Sequence, residues 1–114
     1  MSEIFKVGLR MKKLINEWDK WAERIAIAAR DVLGECEVYV FGSVVESRAT
    51  GGSDVDILII CNKVPEKSKD RADIIVKIEE LAKLPLFHPF EIHIINEREA
   101  EWYWKHVKRA IKIR

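Results

Sequence analysis

The chain has 114 residues, 48% hydrophobic and 34% charged, with a formal net charge of +1. That balance excludes a disordered chain, and the near-zero charge gives no global field for nucleic acid or a membrane surface. No apolar run approaches the roughly 20 residues of a spanning helix, and no secretory leader pattern is present. The length suits one domain over residues 1–114.

The first periodic segment covers residues 9–33. Leu14, Trp18, Trp21, Ile25, Ala28 and Val32 recur at three and four residues, the spacing of one helix face, and Gly34 stops it. "CEVYVF" alternates with β-branched and aromatic residues and reads as a strand. "VVESRATGGS" offers a short helical turn and a Gly-Gly loop. "DVDILII" reads as a central strand, apolar on both faces at its end. Pro65 opens the next helix, with Ile74, Ile75, Ile78, Leu81 and Ala82 as its buried stripe. Pro85 and Pro89 bracket a loop that holds His88. "FEIHII" is a third strand. Asn96 and Glu99 have capping-box spacing and begin the last helix, with Ala100, Tyr103, Trp104, Val107 and Ile111 inward and Trp102 outward. Cys36 and Cys61 make no CxxC and read as buried core thiols, from which a reducing, cytoplasmic setting follows. Glutamine is absent while Lys, Arg and Glu abound, a thermophilic composition.

The chemistry gathers between Gly42 and Asp56. Asp54 and Asp56 alternate with Val55, so both carboxylates leave one face of their strand. Two close carboxylates repel, and a hard divalent cation such as Mg2+ removes that cost while retaining room for phosphate oxygens. Gly42 follows a strand, lets a ligand approach the backbone, and precedes a helical turn whose N–H groups favour phosphate. Ser43 adds a hydroxyl donor. Gly42 ends one strand and Asp54 begins the next, so one ligand can use both only if these strands are antiparallel. A third carboxylate then belongs near the start of the third strand, where Glu91 stands. About thirty residues separate the second and third strands, enough for the crossover of a parallel pair. The expected fold is α+β, a small mixed three-stranded sheet flanked by helices.

Gly42-Ser43, ten intervening residues and Asp54-Val55-Asp56 are similar to the signature of the DNA polymerase β-like nucleotidyltransferase superfamily. The size and element order resemble its minimal nucleotidyltransferase branch. The resemblance implies that Asp54, Asp56 and Glu91 hold Mg2+, two ions in all, and that Glu91 helps to activate the acceptor hydroxyl. Gly42 and Ser43 would hold the triphosphate of ATP or another nucleoside triphosphate. Where many members read Ala-Arg-Gly, this chain reads Val45-Glu46-Ser47, so Arg48 is the nearest substitute cation. Larger relatives carry a lobe that presents the acceptor; a chain this short is expected to borrow one, from a homodimer or from another protein. Minimal members pair with HEPN-domain proteins. The resemblance therefore implies an antitoxin that transfers AMP to a tyrosine of a HEPN toxin. The alternative is a non-catalytic antitoxin that masks the same partner sterically.

Other polar residues carry plainer readings. His93 shares a face with Glu91 and is either a packed or solvated sheet histidine or a contact to nucleotide or metal. His88 is a loop residue. Arg10 and Lys63 are surface cations. The basic tail "KHVKRAIKIR" reads as cations at a helix C-terminus, and direct nucleic-acid binding is not expected.

Overall fold

A computed structural model describes residues 2–42, 44, 45 and 55–114. Its elements are α1 (Glu3–Asn16), α2 (Trp18–Leu33), β1 (Cys36–Phe41), β2 (Val55–Cys61), α3 (Ser68–Leu81), β3 (Phe90–Ile95), α4 (Glu97–His106) and β4 (Ala110–Lys112). The sheet order is β3-β2-β1-β4. β1 is antiparallel to β2, and β2 is parallel to β3. Both orientations match those expected from the sharing of one site. The α+β class stands, with four strands in place of three.

Alternation along the strands divides the sheet into two faces. Val38, Val40, Val55, Ile57, Ile59, Ile92 and Ile94 join α2 and α3 in the main core. Leu58, Ile60 and Ile95 point the other way and pack with Ala100 of α4, beside Tyr39, Phe41 and Tyr103. Within the main core, α2 contributes Ala22, Ile25, Ala26, Ala28 and Ala29. These mostly small residues let the helix lie close to the sheet. Trp18 and Trp21 pack against this core while half-buried.

Four expectations change. The first helix is two: α1 begins at Glu3 behind a Ser2 N-cap and ends before Glu17. Asn16, a residue whose side chain competes for backbone hydrogen bonds, precedes the break. α3 starts at Ser68 rather than at Pro65, and Leu81 is half-exposed. The last helix stops at His106, and the tail returns as β4 against β1. There Ile111 and Ile113 alternate onto the main core with a period of two. Arg114 Nε donates to Glu23 Oε1 at 2.9 Å, and Lys112 lies 3.7 Å from Glu37, so two tail cations serve ion pairs. The short helix expected after Gly42 lies outside the described residues except for Val44 and Val45, where Val45 N–H donates to the Gly42 carbonyl.

The fourth change concerns the cysteines. Cys36 and Cys61 sit directly opposite each other on β1 and β2 and form a disulfide. Their Cα atoms are 4.6 Å apart, the close spacing of a non-hydrogen-bonded antiparallel pair. Free core thiols are thus overturned, and with them that argument for a reducing compartment. No helix among the described residues is long and apolar enough to cross a membrane. The bridge closes a sequence separation of 25 residues. Reducing it is expected to lower the unfolding free energy by about 3 kcal/mol. Denaturant midpoints with and without dithiothreitol check this; an unchanged midpoint would show that the bridge contributes nothing.

Candidate active site

The sheet register builds the site. Asp56 is paired with Phe41 on one side and with Glu91 on the other. The Asp56 and Glu91 side chains therefore leave the same face at the same level, that of α4. Val55 and Ile57 turn into the core and anchor the strand on either side of Asp56. The Asp56 side chain retains 23% of its accessible surface and Glu91 retains 56%. Both carboxylates are thus held by a buried strand and open to a ligand.

Gly42 directly follows β1, at φ +99°, a left-handed conformation that L side chains rarely adopt. A Cβ there would meet Asp56 Oδ2 at 2.6 Å. The glycine thus permits a contact between backbone and carboxylate that no other residue allows. The expected neighbourhood of Gly42 and the acidic strand is present. Asp54, Ser43 and Arg48 lie outside the described residues, as does Glu46.

His93 comes to the two carboxylates from the next outward position of β3. Its Nε2 is 3.4 Å from Asp56 Oδ1 and 3.8 Å from Glu91 Oε1. Among the described residues, no lysine or arginine pairs with Asp56 or Glu91. Burial pushes the Tyr103 hydroxyl above its usual range, and the carboxylates of Glu99, Asp56 and Glu91 add to that shift. Two carboxylates on one face, without a lysine or arginine partner among the described residues and within reach of solvent, fit the donor set of a hard divalent cation. Asp56 and Glu91 would hold it.

Two other cations do not belong here. Lys63 lies beyond the C-terminal end of β2, seven residues from Asp56, or roughly 20 Å at the rise of a strand. Arg10 belongs to α1, whose Leu14 and Ile15 join the core on the opposite face.

Supporting contacts fix β3 and α4 around the carboxylates. His88 is more than a loop residue: its Nδ1 accepts from Phe90 N–H at 3.1 Å, and its Nε2 pairs with Glu79 of α3. With Nδ1 accepting, the proton on Nε2 faces the glutamate. The strand entry next to Glu91 is thereby tied to α3. The capping box at Asn96 and Glu99 is present, with Glu99 N–H donating to Asn96 Oδ1 at 2.8 Å and Asn96 N–H to Glu99 Oε1 at 3.1 Å. Arg71 donates to the carbonyls of Pro65 and Ile94 and to Glu99 Oε2, linking α3, the end of β3 and the start of α4. None of these three-way contacts has a sequence signal, because their partners are 6, 23 and 28 residues away.

The Arg71 hydrogen bond holds the Glu99 carboxyl below the usual glutamate range, against a smaller opposing effect of burial. A carboxyl with a depressed folded-state pKa stabilises the fold above its unfolded value, about 4.3, and that contribution disappears as pH falls through the folded value. Arg71→Leu is therefore expected to flatten the acid limb of stability below about pH 4.3. Thermal melts of both proteins from neutral pH downward check the slope; parallel acid limbs would remove Glu99 as a contributor.

The sequence profile of the nucleotidyltransferase domain family matches residues 22–114. Two solved structures share the architecture. One crystal structure, assigned to the nucleotidyltransferases without a named substrate, is 27% identical with a TM-score of 0.61, over 77% of this chain and 91% of its own. A second, from Sulfolobus solfataricus and assigned in the same way, has a TM-score of 0.62 over 98% of this chain and 86% of its own. At 20% identity it is a likeness of fold. No curated protein matches the chain.

Proposed function

Because the chain belongs to the nucleotidyltransferase domain family, we propose that it transfers a nucleoside monophosphate, AMP from ATP, to a protein hydroxyl. The observation that carries this reading is the pairing of Asp56 with Glu91 across β2 and β3, with Gly42 against the Asp56 carboxylate. The acceptor oxygen attacks the α-phosphorus, the bond to the β-phosphate's bridging oxygen breaks, and pyrophosphate leaves. Asp56 and Glu91 would hold the divalent cation, Mg2+ in the reading from the resemblance, with Asp54 as the expected third ligand. When bound, such ions offset the charge that builds on the attacking and leaving oxygens. Glu91, the more exposed carboxylate, orients the acceptor hydroxyl and takes up the proton it loses as the new bond to phosphorus forms. Gly42 gives the triphosphate access to the backbone, and Ser43 and Arg48 are its further expected contacts.

The acceptor and partner extend this proposal. Trp102, on the helix that carries Tyr103 beside the site, is 58% exposed, and Trp104 is 43% exposed with its ring against Tyr39. Exposed tryptophans are over-represented where proteins dock. They support a protein acceptor, and the reading is an antitoxin that modifies a tyrosine of a HEPN-domain partner. The same surface supports the second reading, steric masking without transfer.

Intact-mass analysis separates the two. The chain is incubated with its HEPN partner, ATP and Mg2+. One adenylate on a partner tyrosine, absent with Asp56→Asn, is the expected result. A tight complex with no mass gain, still neutralised in cells by the Asp54→Asn/Asp56→Asn variant, would replace transfer by masking.

A further inference from the structure

β3 brings a nitrogen beside the two described carboxylates. His93 stands two residues after Glu91, so its ring leaves the same face. One ligand atom from each of Asp56, Glu91 and His93 lies within 4.8 Å of the other two. An octahedral ion with bonds of about 2.1 Å holds neighbouring donors roughly 3 Å apart and opposite donors about 4.2 Å apart. The 3.4 Å and 3.8 Å separations of His93 Nε2 from the two carboxylates are near this range, and small side-chain rotations close the remainder.

The ring is also held in place. Its centroid is 6.0 Å from that of Phe41 on β1 and 6.0 Å from that of Tyr103 on α4. Those two rings are themselves 6.2 Å apart. The imidazole thus sits among aromatic groups from two other elements, with Nε2 toward the acids. Side-chain freedom that an open surface histidine would lose on coordination is already restricted here. A histidine that merely filled space on a sheet needs no such alignment with two carboxylates.

We propose that His93 is a direct nitrogen donor to the bound cation and moves the preference of the site from Mg2+ toward Mn2+. The inference rests on the nucleotidyltransferase reading of Asp56 and Glu91. Mg2+ is a hard ion that gives up its water oxygens reluctantly; Mn2+ shares its preference for oxygen but, as a first-row transition ion, accepts an imidazole nitrogen more readily than Mg2+ does. Removing the nitrogen leaves the carboxylates, which serve Mg2+ about as well as before. The same change takes from Mn2+ one of its protein ligands. His93 is therefore a selectivity residue for the metal, with no part of its own in bond breaking.

The test is equilibrium binding and pulsed electron paramagnetic resonance of Mn2+ on the full chain, with inorganic tripolyphosphate as a nitrogen-free stand-in for the nucleotide phosphates. In wild type, bound Mn2+ is expected to show coupling to a directly ligated nitrogen that changes when histidine is labelled with 15N. That comparison needs no mutation and does not depend on a variant folding. His93→Ala is expected to remove the coupling and weaken Mn2+ binding by about tenfold or more, a loss on the scale seen when metal-site contacts are deleted. Competition by Mg2+ should show a much smaller change. Wild-type Mn2+ without histidine coupling, or equal losses for both ions, would overturn the proposal. Asp56→Asn separates it from its premise. Loss of both metals in that variant, with no histidine coupling in wild type, sinks His93 alone. Metal binding indifferent to Asp56→Asn sinks the site itself.

Discussion

Asp56→Asn is expected to lower nucleotide transfer by about a thousandfold or more while leaving the fold intact. The substitution keeps the shape of the side chain and its place between Phe41 and Glu91. What it removes is the charge that a divalent cation requires. Metal stabilisation of a phosphoryl transition state is worth several kcal/mol, and about 4 kcal/mol corresponds to roughly three powers of ten in rate. Stability should hold. Val55 and Ile57 anchor the strand on either side of Asp56, so the fold does not depend on its charge. Single-turnover transfer and a thermal melt on the same preparation read both effects. Activity lost together with stability would make Asp56 a structural residue; activity retained would exclude it from the chemistry.

Gly42→Ala has the second large effect, for a different reason. The residue sits at φ +99°, and its Cβ would fall 2.6 Å from Asp56 Oδ2. Strain at such a position costs of order 1–3 kcal/mol. The carboxylate is the softer side of the clash, so it turns away from the position that faces Glu91. Transfer is expected to fall by about a hundredfold, since each tenfold in rate is about 1.4 kcal/mol. Gly8 provides the control. It lies inside α1, where an added Cβ would meet nothing within 4 Å, so Gly8→Ala should leave transfer unchanged and add about 0.5–1 kcal/mol of stability. Equal transfer by wild type and Gly42→Ala would show that the tight approach has no bearing on the site.

Much of this arrangement is legible from local chemistry. The β1 and β3 segments, residues 36–41 and 90–95, have the same bounds in sequence pattern and structure because alternation and β-branching agree there. The pairing directions follow from asking how Gly42, Asp56 and Glu91 can meet. Asn96 and Glu99 announce α4 through a motif whose two hydrogen bonds are both local. What escapes are features decided by distant partners. Val107 and Ile111 are four apart and suggest a continuing helix, although Ile111 and Ile113 carry the period of two that pairing with β1 selects. The disulfide depends on a register that places Cys36 opposite Cys61. His88 gains its role from Glu79 of α3, and Arg71 of α3 gains its own from Ile94 of β3, two elements brought together only by the crossover. His93 is visible in the sequence as a neighbour of Glu91, but its approach to Asp56 needs the parallel pairing of Leu58 with His93.

The most direct test of the site is a crystal structure of the full chain with a non-hydrolysable ATP analogue and a divalent cation. The expected result is a cation between Asp56 and Glu91, its remaining positions filled by triphosphate oxygens, with the phosphates passing over Gly42. A nucleotide bound elsewhere, or a cation that leaves Asp56 and Glu91 without contact, would contradict it.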